Sequence, residues 1–234
     1  MNDRTITRRR PRAAVALAAS LRAVVGAASL LAAAAAGAGA QAWNYPSFQT
    51  PRVTPREYNF IVADGGDAGT AFVFQWREGV SQRDQLSLDV GLADPNCNGC
   101  DSKFLIGGQF AHQLATSSAQ MPFDMLFTVG ANGAFGGGWS LVRIPVGVSV
   151  GHRFPLEGGM SITPYVHPRL SLDICGNCGT GDNSNASLDF DVGGSFDFSP
   201  QFSVRASASF SGSDYLGNDN AFGFSLAWRP PGLR

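Results

Sequence analysis

The sequence predicts an all-β chain: an antiparallel, up-and-down transmembrane β-barrel of ten strands, with eight as the fallback count. Three observations predict it. Segment after segment alternates apolar and polar side chains, the period of a strand with two unlike faces. Aromatic residues gather at both ends of the apolar faces, as the interfacial girdles of membrane barrels do. Long connections alternate with short ones, as a meander through a membrane demands. After residue 42 no apolar run reaches the length of a transmembrane helix, ~18 residues or more.

The stretch MSITPYVHPRLSLDI (160–174) shows the alternation best. Its even positions are apolar or proline. Its odd positions include Tyr165, His167, Arg169 and Asp173. The other apolar faces follow in chain order. Tyr58, Phe60 and Val62 lie near 56–64, and Phe72, Phe74 and Trp76 near 69–77. Leu86, Leu88, Val90 and Leu92 lie near 85–93, and Phe104, Ile106, Phe110 and Leu114 near 103–114. Phe123, Met125, Phe127, Val129 and Phe135 lie near 123–135. Val142, Ile144, Val146, Val148, Val150 and Phe154 lie near 140–154. Past the quoted stretch come Leu188, Phe190, Val192, Phe196 and Phe198 near 187–198, then Phe202, Val204, Ala206, Ala208 and Phe210 near 202–211. Phe222, Phe224, Leu226 and Trp228 close the series near 221–228. Soluble strands average ~5–6 residues, whereas transmembrane strands need ~9–11; most of these segments have the second length. The opposite face reads as polar or small throughout, clearest in Ser187, Asp189, Asp191, Gly193, Ser195 and Asp197.

Followed up and down, one set of strand ends carries an aromatic girdle of Tyr58, Trp76, Phe123, Phe154, Phe198, Phe202 and Trp228. The other carries Phe72, Phe104, Phe135, Phe190, Phe210 and Phe222. A soluble core has no reason to push its aromatics to two rims. Short connections at 156–159 and 199–201 alternate with long ones at 94–102, 175–186 and 212–220. Two on the short side, 78–84 and 115–122, are longer than ideal. The apolar faces are therefore expected to meet lipid, and the polar faces to line a lumen.

The first 42 residues are a different object. A basic start (Arg8, Arg9, Arg10, Arg12) leads to an Ala/Val/Leu run at 23–36. Small-x-small cleavage signals follow at Ala38-Gly39-Ala40 and Ala40-Gln41-Ala42. That is the plan of a secretory signal peptide, cleaved on export. Residues 43–55, rich in proline and polar side chains, read as an extended periplasmic lead-in; 56–229 form the barrel and 230–234 a tail. Removing 1–42 takes away six arginines and one aspartate and moves the formal charge from −1 to −6. With Lys103 as its one lysine, the remaining acidic chain lacks the basic clusters that bind nucleic acid.

The chain resembles the small outer-membrane β-barrel proteins of Gram-negative envelopes, of the outer-membrane-protein-A and opacity-protein type. The resemblance covers 56–228. Its last strand, AFGFSLAW (221–228), is similar to the C-terminal insertion signal of those barrels through Gly223, Leu226 and Trp228, although RPPGLR follows here. The resemblance implies outer-membrane lipid as the surroundings. It also implies barrel-insertion machinery and periplasmic chaperones as partners during biogenesis. No chain remains for a periplasmic domain, and the partner of the external loops is not legible.

Candidate chemistry is sparse. Cys97-Asn-Gly-Cys100 and Cys175-Gly-Asn-Cys178 fall in two predicted external loops. Export favours structural disulfides there, in any of three connectivities; two CxxC knuckles also form the ligand set of a four-thiolate Zn site. Asp94, Asn96 and Asn98 open a calcium-loop pattern, but Leu105 stands where a bidentate Glu is needed. His112 and His152 fall on the outward face near the periplasmic rim. Asp89, Asp124, Arg143, Arg153, Tyr165, His167, Arg169, Asp173, Asp189, Asp191, Asp197 and Arg205 are expected to form a lumenal network of paired charges. No short Ser/His motif accompanies them, so no catalytic residue is assigned. The expectation is a non-enzymatic structural or surface-interaction barrel. A narrow pore for small polar solutes is one alternative. Another is a lipid-modifying enzyme with lateral access beside the seventh strand, where Pro145, Pro164 and Pro168 interrupt the ladder.

Overall fold

The computed structural model describes residues 45–96, 100–177, 183–213 and 220–232; residues 1–42, expected to be a signal peptide, lie outside them. Ten long strands build one sheet. They are β1 (Arg56–Asp64), β2 (Thr70–Gly79), β3 (Asp84–Asp94), β4 (Lys103–Ala115), β5 (Asp124–Gly136), β6 (Trp139–Gly151), β7 (Ser161–Gly176), β8 (Ser184–Asp197), β9 (Phe202–Ser211) and β10 (Ala221–Trp228). Each pairs antiparallel with its sequence neighbour. The ring closes where β1 meets β10, from Tyr58↔Trp228 to Asp64↔Phe222. A two-residue bridge, Phe154–Pro155, pairs with the start of β7. Closure leaves no strand edge unpaired along the ring.

Both chain ends of the barrel lie at one rim, the turn end, together with connections 80–83, 116–123, 152–160 and 198–201. The loop end carries 65–69, 137–138 and the described parts of the other connections, 95–96, 100–102, 177, 183, 212–213 and 220. One connection there is tight instead of long. Gly137 (φ 60°) and Gly138 (φ 81°) join β5 to β6, a two-residue hairpin whose positive φ values suit glycine.

The side-chain period holds in every strand, and the molecule is inside-out. Leu188 is 73% exposed and Phe72 62%, while Arg205, Asp173 and Asp191 are 0% exposed. Exposed apolar side chains come from all ten strands, so the belt is continuous around the ring. Its turn-end rim is tied by cross-strand aromatic contacts. Tyr58 stacks on Trp228 at 5.5 Å and on Phe74 at 6.1 Å, and Phe198 on Phe202 at 6.1 Å. His112 and His152 sit half-buried at the same end, the first bonded to Asp84 at 2.7 Å and the second edge-on to Phe154 at 4.6 Å.

The inward face departs from expectation at Leu126 and Leu141 and most of all in one region. It is not polar or small throughout: Ile61, Val73 and Leu105, with Ala63, Ala71, Ala93 and Ala134, face inward and form a buried apolar cluster. The prolines interrupt the ladder on both sides of β6. Pairing with β5 skips from Val129↔Val146 to Asn132↔Arg143, across Pro145. Pairing with β7 skips from Gly147↔Arg169 to Val150↔Val166, opposite Pro168. Proline has no N–H to donate, so the ladder is locally open on both sides of β6.

Candidate functional site: a filled lumen

The lead-in does not hang below the barrel. Its described part, 45–55, enters the lumen from the turn end as extended chain without strand pairing. Phe48 and Gln49 are 0% exposed. Phe48 has φ 51°, a left-handed conformation that costs a non-glycine residue roughly 1–2 kcal/mol. The bend drives its ring into the apolar cluster of Ile61, Val73 and Leu105. Gly223 makes room for it, since a Cβ there would lie 3.0 Å from the ring. Burying a phenylalanine is worth about 1.5–3 kcal/mol, enough to offset the strain. Phe48→Ala is expected to cost about 3–5 kcal/mol, read as a lower urea midpoint at unchanged slope in detergent micelles.

Polar contacts fix the rest of the segment to the walls. The carbonyls of Ser47 and Phe48 each accept from Arg77 Nη2 at 3.0 Å. Ser47 donates through its N–H (3.0 Å) and its hydroxyl (2.6 Å) to Asp191, and its Oγ lies 2.8 Å from His167 Nδ1. Tyr45 donates to Asp89 at 3.2 Å. Ser149 donates to the Gln49 carbonyl at 2.7 Å, and Gln109 to the Gln49 side chain at 2.8 Å. Gln113 donates to Pro51 O at 2.9 Å, and its oxygen accepts from Val53 N at 2.9 Å. Thr54 N donates to Gln85 at 3.0 Å. Six strands hold the segment, so its position is set around most of the circumference.

The predicted lumenal residues are brought together in two groups. In the middle and loop half, Arg143 forks onto Asp173 at 2.7 and 2.9 Å and reaches Asp189 at 3.5 Å. Arg169 meets Asp191 at 2.5 Å. His167, 0% exposed, is bonded through Nε2 to Thr128 at 2.9 Å and lies 3.8 Å from Asp191. Tyr165 is buried against Gly193. In the turn half, Arg205 forks onto Glu57 at 2.5 and 2.8 Å. Asp124 is buried 3.5 Å from Arg52. Asp197 accepts from Ser161 at 2.7 Å and from Arg229 at 3.0 Å. Arg153, expected inside, stands half-exposed at the mouth, 2.9 Å from Ser161.

Sequence reasoning missed Glu57, Arg77 and Arg229, which with Arg205 form the tightest charge cluster. Glu57 also meets Arg77 at 3.3 Å and Arg229 at 2.9 Å. The signal was present: Glu57 and Arg77 sit on the inward period of β1 and β2, one step from Tyr58 and Trp76. Arg229 lies just past β10. Burial opposes its charge, but Glu57 and Asp197 outweigh this and hold its pKa above the ordinary arginine value.

The segment divides the free space. A cavity of about 550 Å³ opens at the turn end, lined by Arg52, Arg83, Arg153, Arg229, Asp197 and lead-in residues 50–54. A remnant of about 50 Å³ remains beyond it among Tyr45, Asp89, Arg143 and Arg169.

At the loop end, neither Cys100 nor Cys175 is a free thiol. Cys175 is buried against Leu141 and Trp139. Cys97, Cys178 and Asn98 lie outside the described residues, and with them half of the proposed zinc set and one of the three calcium residues. Among the described residues no three His, Cys, Asp or Glu side chains gather as a metal site.

No protein-family model matches the chain, and no curated protein matches it. Solved structures with a similar fold are outer-membrane β-barrels. The β domain of the Bordetella autotransporter BrkA has TM-score 0.44 and 10% identity, over 75% of this chain and 98% of that one. KdgM porin has TM-score 0.38 and 6% identity, over 74% and 99%. A bacterial polysaccharide outer membrane secretin has TM-score 0.43 and 9% identity, over 73% of this chain; the chain spans 57% of the secretin's length. The likeness is one of fold.

Proposed function

We propose that this protein is an integral outer-membrane barrel with a structural or surface-interaction role, closed to solutes by its own N-terminal segment. One observation carries the reading: the exposed face is an apolar belt on all ten strands, while the enclosed face holds charged pairs. Water does not stabilise such a belt. Soluble monomers rarely expose apolar patches beyond a few hundred Å², and lipid tails accept this one. Export through cleavage of residues 1–42 accounts for the lead-in's place, since the new N-terminus then lies two residues before Tyr45. Disulfides at the loop end, formed in the oxidising envelope, complete the reading. The lumenal groups act in it as a packed network with no catalytic role. His167 supports this, being enclosed with Thr128 and Ser47 on its two nitrogens.

Cell fractionation with heat-modifiable gel mobility tests the placement, and planar-bilayer recording tests the closure. The expected results are recovery with the outer membrane, a band that shifts on boiling, and no conductance steps. Alkylation before reduction is expected to label no cysteine. A soluble periplasmic protein with no shift would sink the membrane reading. Steady conductance from unaltered protein would leave the barrel and replace closure by a narrow pore.

A further inference from the structure

The lumenal charges are not balanced along the barrel axis. In the middle and loop half, four carboxylates (Asp89, Asp173, Asp189, Asp191) face three cations, Arg143, Arg169 and the buried Lys103. In the turn half the sign reverses. Four arginines line the mouth, Arg52, Arg83, Arg153 and Arg229, and two more, Arg77 and Arg205, lie enclosed behind its wall. Three carboxylates answer them, Glu57, Asp124 and Asp197. Guanidinium stays charged at any working pH, so the excess is permanent. It converges on a cavity of about 550 Å³, far larger than the ~30 Å³ share of one water.

From this we infer that the turn-end cavity is a binding site for a small soluble polyanion carrying carboxylate or phosphate groups. Arg52, Arg83 and Arg153 are its recognition residues. Arg77 and Arg205 are consumed by Glu57 behind the cavity wall. Arg229 spends its donors on Glu57, Asp197 and Ser203. Arg52 is 3.5 Å from Asp124 with a side chain 43% exposed. Arg153 is 3.9 Å from Asp197 with a side chain 48% exposed. Both keep donors turned to water. Arg83 comes from the β2–β3 turn and is exposed. Three guanidinium forks from three connections, around one opening, match the several oxygens of a polyanion. The floor is the lead-in itself, residues 50–54, so ligand and plug share a surface. The site opens along the barrel axis at the turn end and stands whether or not the belt meets lipid.

The test is isothermal titration of the full processed chain in zwitterionic detergent, with inorganic pyrophosphate and with citrate at constant ionic strength. All material is first shown to be folded by its heat-modifiable band. Saturable binding of either anion is expected, weakening as chloride is raised. The R52Q/R83Q double variant is expected to raise Kd about tenfold or more, since each charge-assisted bond is worth roughly a decade. R153Q adds to that loss, and R52K/R83K restores part of it. Loss for pyrophosphate alone assigns phosphate as the ligand chemistry, and loss for citrate alone assigns carboxylate. No saturable heat with either anion on folded protein overturns the inference. So does a Kd unchanged in folded R52Q/R83Q. Should the variants not fold, the chloride dependence of the unaltered protein decides: salt-independent binding overturns the site.

Discussion

Deleting residues 45–52 will turn a silent barrel into a conducting one. In planar bilayers the full chain is expected to give a flat trace, and the deleted chain discrete current steps. The segment separates a cavity of about 550 Å³ at the turn end from a remnant of about 50 Å³ beyond. Phe48 and Gln49, both fully enclosed, occupy the space between. Without them the Phe48 cluster opens, and the donors and acceptors that held the plug (Arg77, Gln109, Ser149, His167, Asp191) become the lining of a wet path. Ten strands supply the wall with or without the segment, so the heat-modifiable band is expected to persist. Phe48→Ala is the intermediate case. It removes the anchor but leaves the polar contacts, so brief openings on a closed baseline are expected. If the folded deletion variant stays silent, the charged network closes the lumen unaided and the plug is not the gate.

Why the plug escaped sequence reading is itself physical. Strands announce themselves because a two-faced environment imprints period two. Leu188 must face out and Asp189 in, and the letters alternate accordingly. The segment YPSFQTP (45–51) has no such environment. It is enclosed on all sides, with an apolar wall on one flank and polar walls on the other, so each residue answers to a different neighbour. Phe48 meets Ile61 and Val73, while Ser47 beside it meets Asp191 and His167. No periodicity results, and the prolines read as solvent-exposed chain. The apolar cluster was missed for a related reason. Ile61, Val73 and Leu105 lie on the inward period, and only the arrival of Phe48 explains why that face is locally apolar. The lumenal ions were legible as a set, because any charge on the inward period of a barrel must be enclosed. Some partners follow from strand register, as Arg143↔Asp173 does, but others join strands that do not pair. Arg205 and Glu57, on β9 and β1, are not neighbours in the sheet. The tight β5–β6 hairpin carried its signal in Gly136-Gly137-Gly138, and the segments near 123–135 and 140–154 already left only a short connection between them.

Glu57→Gln is expected to be the most destabilising single substitution of a polar residue in the barrel. Glu57 is 0% exposed and accepts five hydrogen bonds: two from Arg205, one each from Arg77 and Arg229, and one from Asn59. Arg77 and Arg205 are themselves enclosed, at 1% and 0%. A glutamine fits the space but brings one acceptor oxygen and an NH₂ that must face guanidinium donors. Two enclosed cations would then lie side by side with no paired counter-charge, since Asp197 is taken by Arg229 at 3.0 Å and Asp89 by Tyr45 at 3.2 Å. Removing one member of an enclosed ion pair costs about 3–5 kcal/mol, and here one carboxylate serves three partners. The control is Glu78→Gln. Its pair with Arg56, at 2.6 Å, is as short, but both side chains are partly solvated at 26% and 35%, and such pairs are worth about 1 kcal/mol or less. Urea midpoints in detergent are therefore expected to fall steeply for Glu57→Gln and barely for Glu78→Gln. Glu57→Gln combined with Arg205→Met removes the stranded charge along with its partner and is expected to recover part of the loss. Equal small losses for the two glutamine variants would mean that water from the turn-end cavity reaches Arg77 and Arg205. The cluster would then belong to the solvated mouth and not to the wall that holds the barrel shut.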